Sequence, residues 1–273
     1  MINAFITDLL TIKGQSKHTA DAYRRDLRQF VKFIKQYYQD ARWSTISADM
    51  IEHYIMTLES VGELPTTTNR KISAISALYR YLKRHGHDIN NPAQFICRRK
   101  IAETIPNTID PEQLRTAYAN AIGSVKVMLG LLITTGIRIG EMLAIRWEDI
   151  NPKDGTIIIH GKGNKERLVS VPERQMEEIR YAYPRQDPKG TLFHTSQFET
   201  RCMIYQALTP YCRAKQLSPH AIRHTFATEM AKAGESGPTI ALALGHSNLK
   251  TTQHYINLAK AAEPCRCQYI KLN

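Results

Sequence analysis

The chain has 273 residues, a hydrophobic content of 42% and a formal net charge of +12 at pH 7. That length suits one large or two ordinary domains of roughly 100–150 residues each, and the charge favours a polyanionic partner, nucleic acid or anionic membrane. No stretch approaches the ~18 apolar residues of a membrane helix, and the N-terminus, with its early Asp8, lacks the basic start and apolar centre of a signal peptide, which leaves nucleic acid as the better partner.

The first hundred residues read as helices. After an amphipathic N-terminal segment, Tyr23, Leu27, Phe30, Val31 and Ile34 recur at helical spacing, with Arg24, Arg25, Arg28 and Lys32 between them. A third helix carries Met50, Ile51, Tyr54, Ile55 and Leu58, and Gly62 and Pro65 then break the chain. A fourth runs from about Thr67 to Arg84 with Ile72, Ile75, Leu78, Tyr79 and Leu82 on one face; His85-Gly86 ends it, and Asn91-Pro92 follows. Four short helices of this kind make a small bundle, a first domain over 1–96.

Residues 97–109 read as a linker containing the basic run Arg98-Arg99-Lys100. Asp110-Pro111-Glu112-Gln113 is a helix start, with Asp as N-cap and Pro at the first helical position, and opens a second domain over 110–273. That domain is expected to be mainly α with a small β-hairpin: strands at Thr156–His160 and Arg167–Val171 flank a turn from Gly161 to Lys165. Ser218-Pro219 starts a helix running to about Ala233, with Gly234 beyond it, and Leu244-Gly245 ends another. From about Ala259 the chain reads as a helix or arm with a basic end. Cys97, Cys202, Cys212, Cys265 and Cys267 are odd in number and scattered, so a reduced, cytoplasmic location is expected rather than a disulfide framework. Cys265-Arg266-Cys267 is half of a zinc pattern with no second pair nearby, and two ordinary thiols are the simpler reading.

Several segments carry residues suited to phosphate chemistry, each with a plainer alternative. His220, Arg223 and His224 share one side of the first turns of their helix, whose N-terminus is partially positive; alternatively His220 caps and Arg223 forms a surface pair. Arg138, between Gly136 and Gly140, offers a planar fork to a phosphate, with Glu141 placed to hold it or simply to pair with it. Lys162 sits at a hairpin tip and reaches a nucleic-acid groove or stays solvated, and Lys165 in the same turn competes for the role. His246 follows a helix end, and Tyr255 sits at a spacing usual for a core or interface residue.

Taken together, Thr135-Gly-Ile-Arg-Ile-Gly-Glu141, Gly161-Lys-Gly-Asn-Lys-Glu-Arg167, Ser218-Pro-His-Ala-Ile-Arg-His-Thr-Phe-Ala-Thr228 and Leu244-Gly-His-Ser-Asn-Leu-Lys-Thr-Thr-Gln-His-Tyr255 resemble the boxes of the tyrosine recombinase (phage integrase) family. Ala22-Tyr-Arg-Arg-Asp-Leu27 is similar to the opening of the core-binding domain in short, two-domain Xer-type members, so the resemblance covers nearly the whole chain. One stretch departs: Glu235-Ser-Gly-Pro-Thr239 stands where a more regular helical lead-in is usual.

The resemblance implies a SAM-like four-helix core-binding domain followed by an integrase-type catalytic domain. It implies Tyr255 as nucleophile forming a 3′-phosphotyrosyl link, Arg138 and Arg223 on the non-bridging oxygens, and Lys162 as proton donor to the leaving 5′-oxygen. His220 assists proton movement, His246 contacts the phosphate and Glu141 supports the arginines. Three protein cations make a metal unnecessary, so neither metal nor other cofactor is expected. DNA contacts are expected from Arg24, Arg25, Arg70, Lys71, Arg98, Arg99 and Lys100, with the two domains clamping double-stranded DNA and binding weakening steeply as salt rises. The implied reaction is site-specific recombination at inverted-repeat sites through a Holliday junction. It uses a tetramer closed by the tail from about residue 259 and leaves room for a second recombinase or an accessory protein. A type IB topoisomerase shares the tyrosine chemistry, but the compact N-terminal bundle and the tail argue against it. A DNA-binding regulator would have lost a catalytic residue, and none is lost. Dimer resolution, mobile-element integration and inversion all remain open, as do the target sequence and crossover spacing.

Overall fold

The computed structural model describes residues 1–101, 106–161, 165–184, 190–215, 217–245, 252 and 256. It divides into two compact units, Met1–Glu103 and Thr104–Asn273.

The first unit is a helical bundle of α1 (Ile2–Thr11), α2 (Lys17–Tyr37), α3 (Ala48–Ser60) and α4 (Pro65–Arg84), followed by a 3-10 turn at Pro92–Phe95. Ser16 and Ser47 cap α2 and α3 by accepting the backbone N–H of Thr19 and Met50, and Pro65 occupies the first turn of α4. The core is built from Phe5, Ile6, Leu27, Phe30, Ile51, Ile55, Ile72, Ile75, Leu78 and Leu82. On α2 the buried face is Leu27, Phe30, Phe33 and Ile34, with Val31 only half-buried at its margin. Phe33 sits there because its ring packs on Tyr54 with centroids 5.0 Å apart, a contact that the spacing of α2 alone does not reveal.

A charge cluster is buried in this unit. Asp26, only 4% exposed, is bound by the Arg70 guanidinium and lies 3.6 Å from Lys71 Nζ. Lys71 is itself buried, donates to Gln29 Oε1 and lies 3.8 Å from Glu63. This corrects one sequence expectation: an ammonium enclosed by Asp26, Gln29 and Glu63 holds α4 against α2 and is not placed to meet DNA. Of the other residues expected on DNA, Arg25 and Lys100 are exposed. Arg24 pairs with Asp21, and Arg70 is half-exposed beside Asp26. Arg98 donates to Asn69 O and Ser73 Oγ, and Arg99 binds Glu59. Asn69 also bonds both the carbonyl and the N–H of Arg99, at 2.8 and 2.9 Å. The start of the segment expected as linker is thus strapped to α4.

The second unit is mainly helical with a three-stranded antiparallel sheet. Its helices are α5 (Pro111–Asn120), α6 (Gly123–Thr135), α7 (Ile139–Leu143), α8 (Glu173–Ala182), α9 (Gln197–Leu208), α10 (Pro219–Lys232) and α11 (Gly237–Leu244). The strands are β1 (Ile150–Asn151), β2 (Thr156–His160) and β3 (Glu166–Ser170), in the order β1-β2-β3. Asp110 caps α5, its Oδ1 accepting from Glu112 N at 2.8 Å, and Ser218 caps α10 through Ala221 N. Helix α6 is apolar around its girth, with Val127, Met128, Leu129, Leu131 and Leu132 all buried, which places it at the centre of the unit. Thr225 on α10 accepts from Ile109 N at 2.8 Å and so anchors the incoming chain. The departing stretch at 235–239 is a second helix start: Ser236 caps α11 by accepting from Thr239 N, with Gly237 and Pro238 in the first turn.

In the first unit, Lys71→Ala is expected to lower the stability of the full-length protein by about 1–3 kcal/mol, because Gln29 and Glu63 lose their donor in a buried setting. Urea denaturation checks this; unchanged stability with weakened DNA binding would return Lys71 to the DNA.

Candidate active site

Helix α6 ends at Gly136, whose backbone takes the left-handed conformation (φ 59°, ψ 19°). A Cβ added there would lie 2.4 Å from the Phe226 ring of α10, so the position needs glycine on two grounds. The chain then turns directly into α7 with Arg138 as its N-cap residue. Glu141, one turn on, accepts from Arg138 N at 3.0 Å and from Arg138 Nη1 at 2.7 Å. The carboxylate closes the helix start and aims the guanidinium at once.

A third residue completes this arrangement. Arg167 Nη2 donates to Glu141 Oε2 at 2.7 Å, and Arg167 Nε donates to the carbonyl of Ala243 on α11 at 3.0 Å. In the sheet, Ile157 pairs with Val169 and Ile159 with Arg167. The alternation that buries Ile157, Ile159 and Val169 therefore carries Arg167 to the same inner face. Gly245, left-handed at the end of α11, allows the approach: a Cβ there would stand 2.8 Å from Arg167 Nη1. Burial works to raise the Glu141 carboxyl, but hydrogen bonds from Arg167 and Arg138 outweigh it and hold it below the usual carboxylate range.

Arg223 reaches the same region from α10. It is 4% exposed, and its Nη1 and Nη2 donate to the carbonyls of Gly136 at 2.6 Å and Leu244 at 2.7 Å. Both acceptors lie at helix C-termini, where carbonyls lack intrahelical partners and carry partial negative charge. The surface-pair alternative for Arg223 does not hold; it is an internal cation joining the ends of α6 and α11.

Arg138, Glu141 and His220 line one open cavity of about 910 Å³, together with His160, Lys165, Arg167, Gln197 and Arg201. The Arg138 side chain keeps 39% exposure toward it. Partial burial, reinforced by Arg223, Arg201 and Arg138, lowers the His220 pKa below its ordinary value, so the imidazole is neutral at neutral pH. His160, at the end of β2, behaves oppositely: its hydrogen bond to Asp149 raises its pKa. One basin thus holds two imidazoles whose proton affinities are pushed in opposite directions. Of the sequence-expected residues, Lys162, His246, Tyr255 and the tail from about 259 lie outside the described residues.

Arg167, His160 and Arg201 are cavity residues that sequence reasoning did not single out. For Arg167 a signal was present: it shares strand parity with buried Val169, so a charge there needs a partner inside. Arg201 carried none, because its place depends on how α9 packs.

The phage integrase family model matches residues 107–262, and the model for the phage integrase N-terminal SAM-like domain matches residues 2–86. The chain belongs to the phage integrase family. It is 30% identical to the tyrosine recombinase XerD of Shewanella oneidensis, over 96% of this chain and 93% of that protein. It is 31% identical to the tyrosine recombinase XerC of Pelobacter propionicus, over 94% and 90%. Among solved structures, a lambda integrase dimer bound to a COC′ core site aligns with a TM-score of 0.74 at 15% identity, over 100% of this chain and 98% of that one. The XerH site-specific recombinase bound to palindromic difH substrate aligns at 0.73 and 20%, over 89% and 77%. These structures share the fold: a SAM-like helical unit and an integrase catalytic unit. As a tyrosine recombinase of this family, the chain is an enzyme of site-specific DNA recombination with DNA as its partner.

Gly136→Ala is expected to lower unfolding free energy by about 1–3 kcal/mol, from backbone strain and the clash with Phe226. Chemical denaturation measures it, and an unchanged midpoint would refute this account of the α6–α7 turn.

Proposed function

We propose that Tyr255 attacks the scissile phosphate, so that its oxygen bonds to phosphorus while the bond to the 5′-oxygen breaks. The products are a 3′-phosphotyrosyl link and a free 5′-hydroxyl. The carrying observation is that Arg138, fixed by buried Glu141, shares one cavity with His220, with the remaining family boxes in order along the chain. Arg138 and Arg223 neutralise the non-bridging oxygens, a preorganised electrostatic role worth several kcal/mol in such sites. His246 adds a phosphate contact. A phenol has an ordinary pKa of about 10, so Tyr255 needs a base when it attacks. Neutral His220 is suited to take that proton, and Lys162 supplies one to the 5′-oxygen.

The phosphotyrosyl link retains the ester's energy, so an incoming 5′-hydroxyl from a second duplex reverses the step and seals a new strand without ATP. Exchange of both strands passes through a Holliday junction and uses four protomers, closed into a ring by the segment from about residue 259. Double-stranded DNA with inverted repeats is the substrate, and a second recombinase or accessory protein is compatible with this assembly. Arg24, Arg25, Arg70, Arg98, Arg99 and Lys100 serve the backbone contacts of the N-terminal domain, taken as 1–96 with its basic linker 97–109 ahead of a catalytic domain over 110–273. Among the described residues no helix is long and apolar enough to cross a membrane, and cytoplasmic residence is the location we assign.

Candidate inverted repeats flanking the gene, nicked so that the 5′-hydroxyl fragment departs, test the reading. The intact protein is expected to leave a denaturant-resistant adduct and Tyr255→Phe none, with DNA binding retained. An adduct with Tyr255→Phe would refute the nucleophile.

The pH profile tests His220. A base works when deprotonated, so cleavage should rise through a midpoint below about 6.5, the ordinary imidazole value. Arg201→Ala removes one of the positive neighbours and should move that midpoint to higher pH; an unmoved acid limb in single-turnover cleavage would exclude His220 as the titrating group.

A further inference from the structure

One cluster at the edge of the cavity has no part in the roles above. His160 ends β2, two residues before Lys162 in the chain. Its Nε2 lies 2.7 Å from Asp149 Oδ1 and its Nδ1 3.1 Å from Glu166 Oε1. A neutral imidazole has one N–H, and carboxylates only accept, so both contacts are hydrogen bonds only when the ring carries both protons.

The two carboxylates differ in anchorage. Asp149 is 6% exposed, and its other oxygen accepts from Arg146 N at 2.8 Å, closing the 3-10 turn at Trp147–Asp149. Glu166 faces His160 across the strands as the last pair before the turn, and Gly161 N donates to Lys165 O at 2.7 Å just beyond. The imidazolium therefore ties a fixed turn to both strands at the root of the hairpin. Other charged groups lining the same cavity are Glu141 on α7, Arg138 before it, Lys165 and Arg167 on the hairpin, Arg201 on α9 and His220 on α10. Glu141 is already engaged by Arg138 and Arg167, so among the described residues Asp149 and Glu166 are the carboxylates that face the His160 ring.

We propose that protonated His160 is a positioning residue that sets the root of the β2–β3 hairpin and so delivers Lys162 to the leaving 5′-oxygen. The inference rests on the reading of Lys162 as proton donor. In that step the bond between phosphorus and the 5′-oxygen breaks, its electron pair stays on oxygen, and a proton passes from Lys162 Nζ to that oxygen; His160 keeps both of its protons. The hydrogen bond to Asp149, opposed by partial burial and aided by Glu166, raises the His160 pKa. The clasp is therefore whole below the folded value and released as pH rises past it.

The test uses full-length protein on the duplex captured in the adduct assay, made with either the natural 5′-oxygen or a 5′-bridging sulfur at the scissile position. Thiolate is a good leaving group and needs no proton, so the sulfur duplex bypasses the donor. His160→Ala is expected to cleave the oxygen duplex about tenfold more slowly or worse, as expected when a general acid is displaced. It should also lose the fall in rate that release of the clasp produces as pH rises. Both His160→Ala and Lys162→Ala should approach the intact rate on sulfur. Glu166→Gln, at a side chain 58% exposed, is the second variant should His160→Ala not fold, and it should show the same pattern with a smaller loss. Normal oxygen cleavage by His160→Ala beside an impaired, sulfur-rescued Lys162→Ala overturns the inference and leaves the donor reading intact. A His160→Ala defect equal on both duplexes also overturns it. A Lys162→Ala defect that sulfur does not relieve overturns the donor reading and the inference with it.

Discussion

The catalytic unit depends on one buried carboxylate. Glu141 accepts from Arg138 on one side and Arg167 on the other, and a carboxylate so enclosed tolerates burial only while both partners stay. Through these two guanidiniums it joins the start of α7 to β3, and Arg167 carries the connection to α11 by way of Ala243. Arg223 completes the frame by joining the last carbonyls of α6 and α11. Both helices end in a left-handed glycine, Gly136 and Gly245, and the turns those glycines permit bring an arginine against the helix ends. The fold thus assembles three cations close together and balances them with one carboxylate and a set of carbonyl dipoles.

This bookkeeping of charge leaves the site positive and divides its histidines. His220 sits among arginines, which favour its neutral form, fit to accept a proton; His160 sits between carboxylates, which favour its charged form, fit to brace a strand. The same residue type is pushed in opposite directions within one cavity because the neighbours differ. Phosphoryl transfer draws on a preorganised field of this kind to stabilise the charge that develops on the phosphate oxygens.

Much of the architecture was legible in the sequence because local physics agreed with the global fold. Asp110, Ser218 and the Leu244-Gly245 end were readable as caps and stops, and they occupy those positions. The hairpin was readable from its β-branched run, though β1, two residues long, was not. Of the candidate site, the contact of Arg138 with Glu141 was readable from their spacing of three beside the glycine turn, though not the helix start that Arg138 caps. Lys71 was misread because a charge between apolar helix positions looks solvated until its partners, Asp26 and Glu63, are brought over from elsewhere in the chain. Phe33 and Arg201 were unreadable for the same reason: their surroundings are tertiary. Read from its own segment, Arg223 looked better suited to a surface pair, and only the convergence of two helix ends on its guanidinium decides its place.

The central claim is that the Glu141-held guanidinium of Arg138 neutralises a non-bridging phosphate oxygen. The most direct measurement is single-turnover cleavage of a duplex whose scissile phosphate is replaced by a neutral methylphosphonate, compared with the natural phosphate. If the claim is right, the rate losses of Arg138→Ala and Glu141→Gln on phosphate shrink together on methylphosphonate, because the charge they serve is gone. Losses of equal size on both substrates would show that these residues act elsewhere in the reaction and would contradict the account.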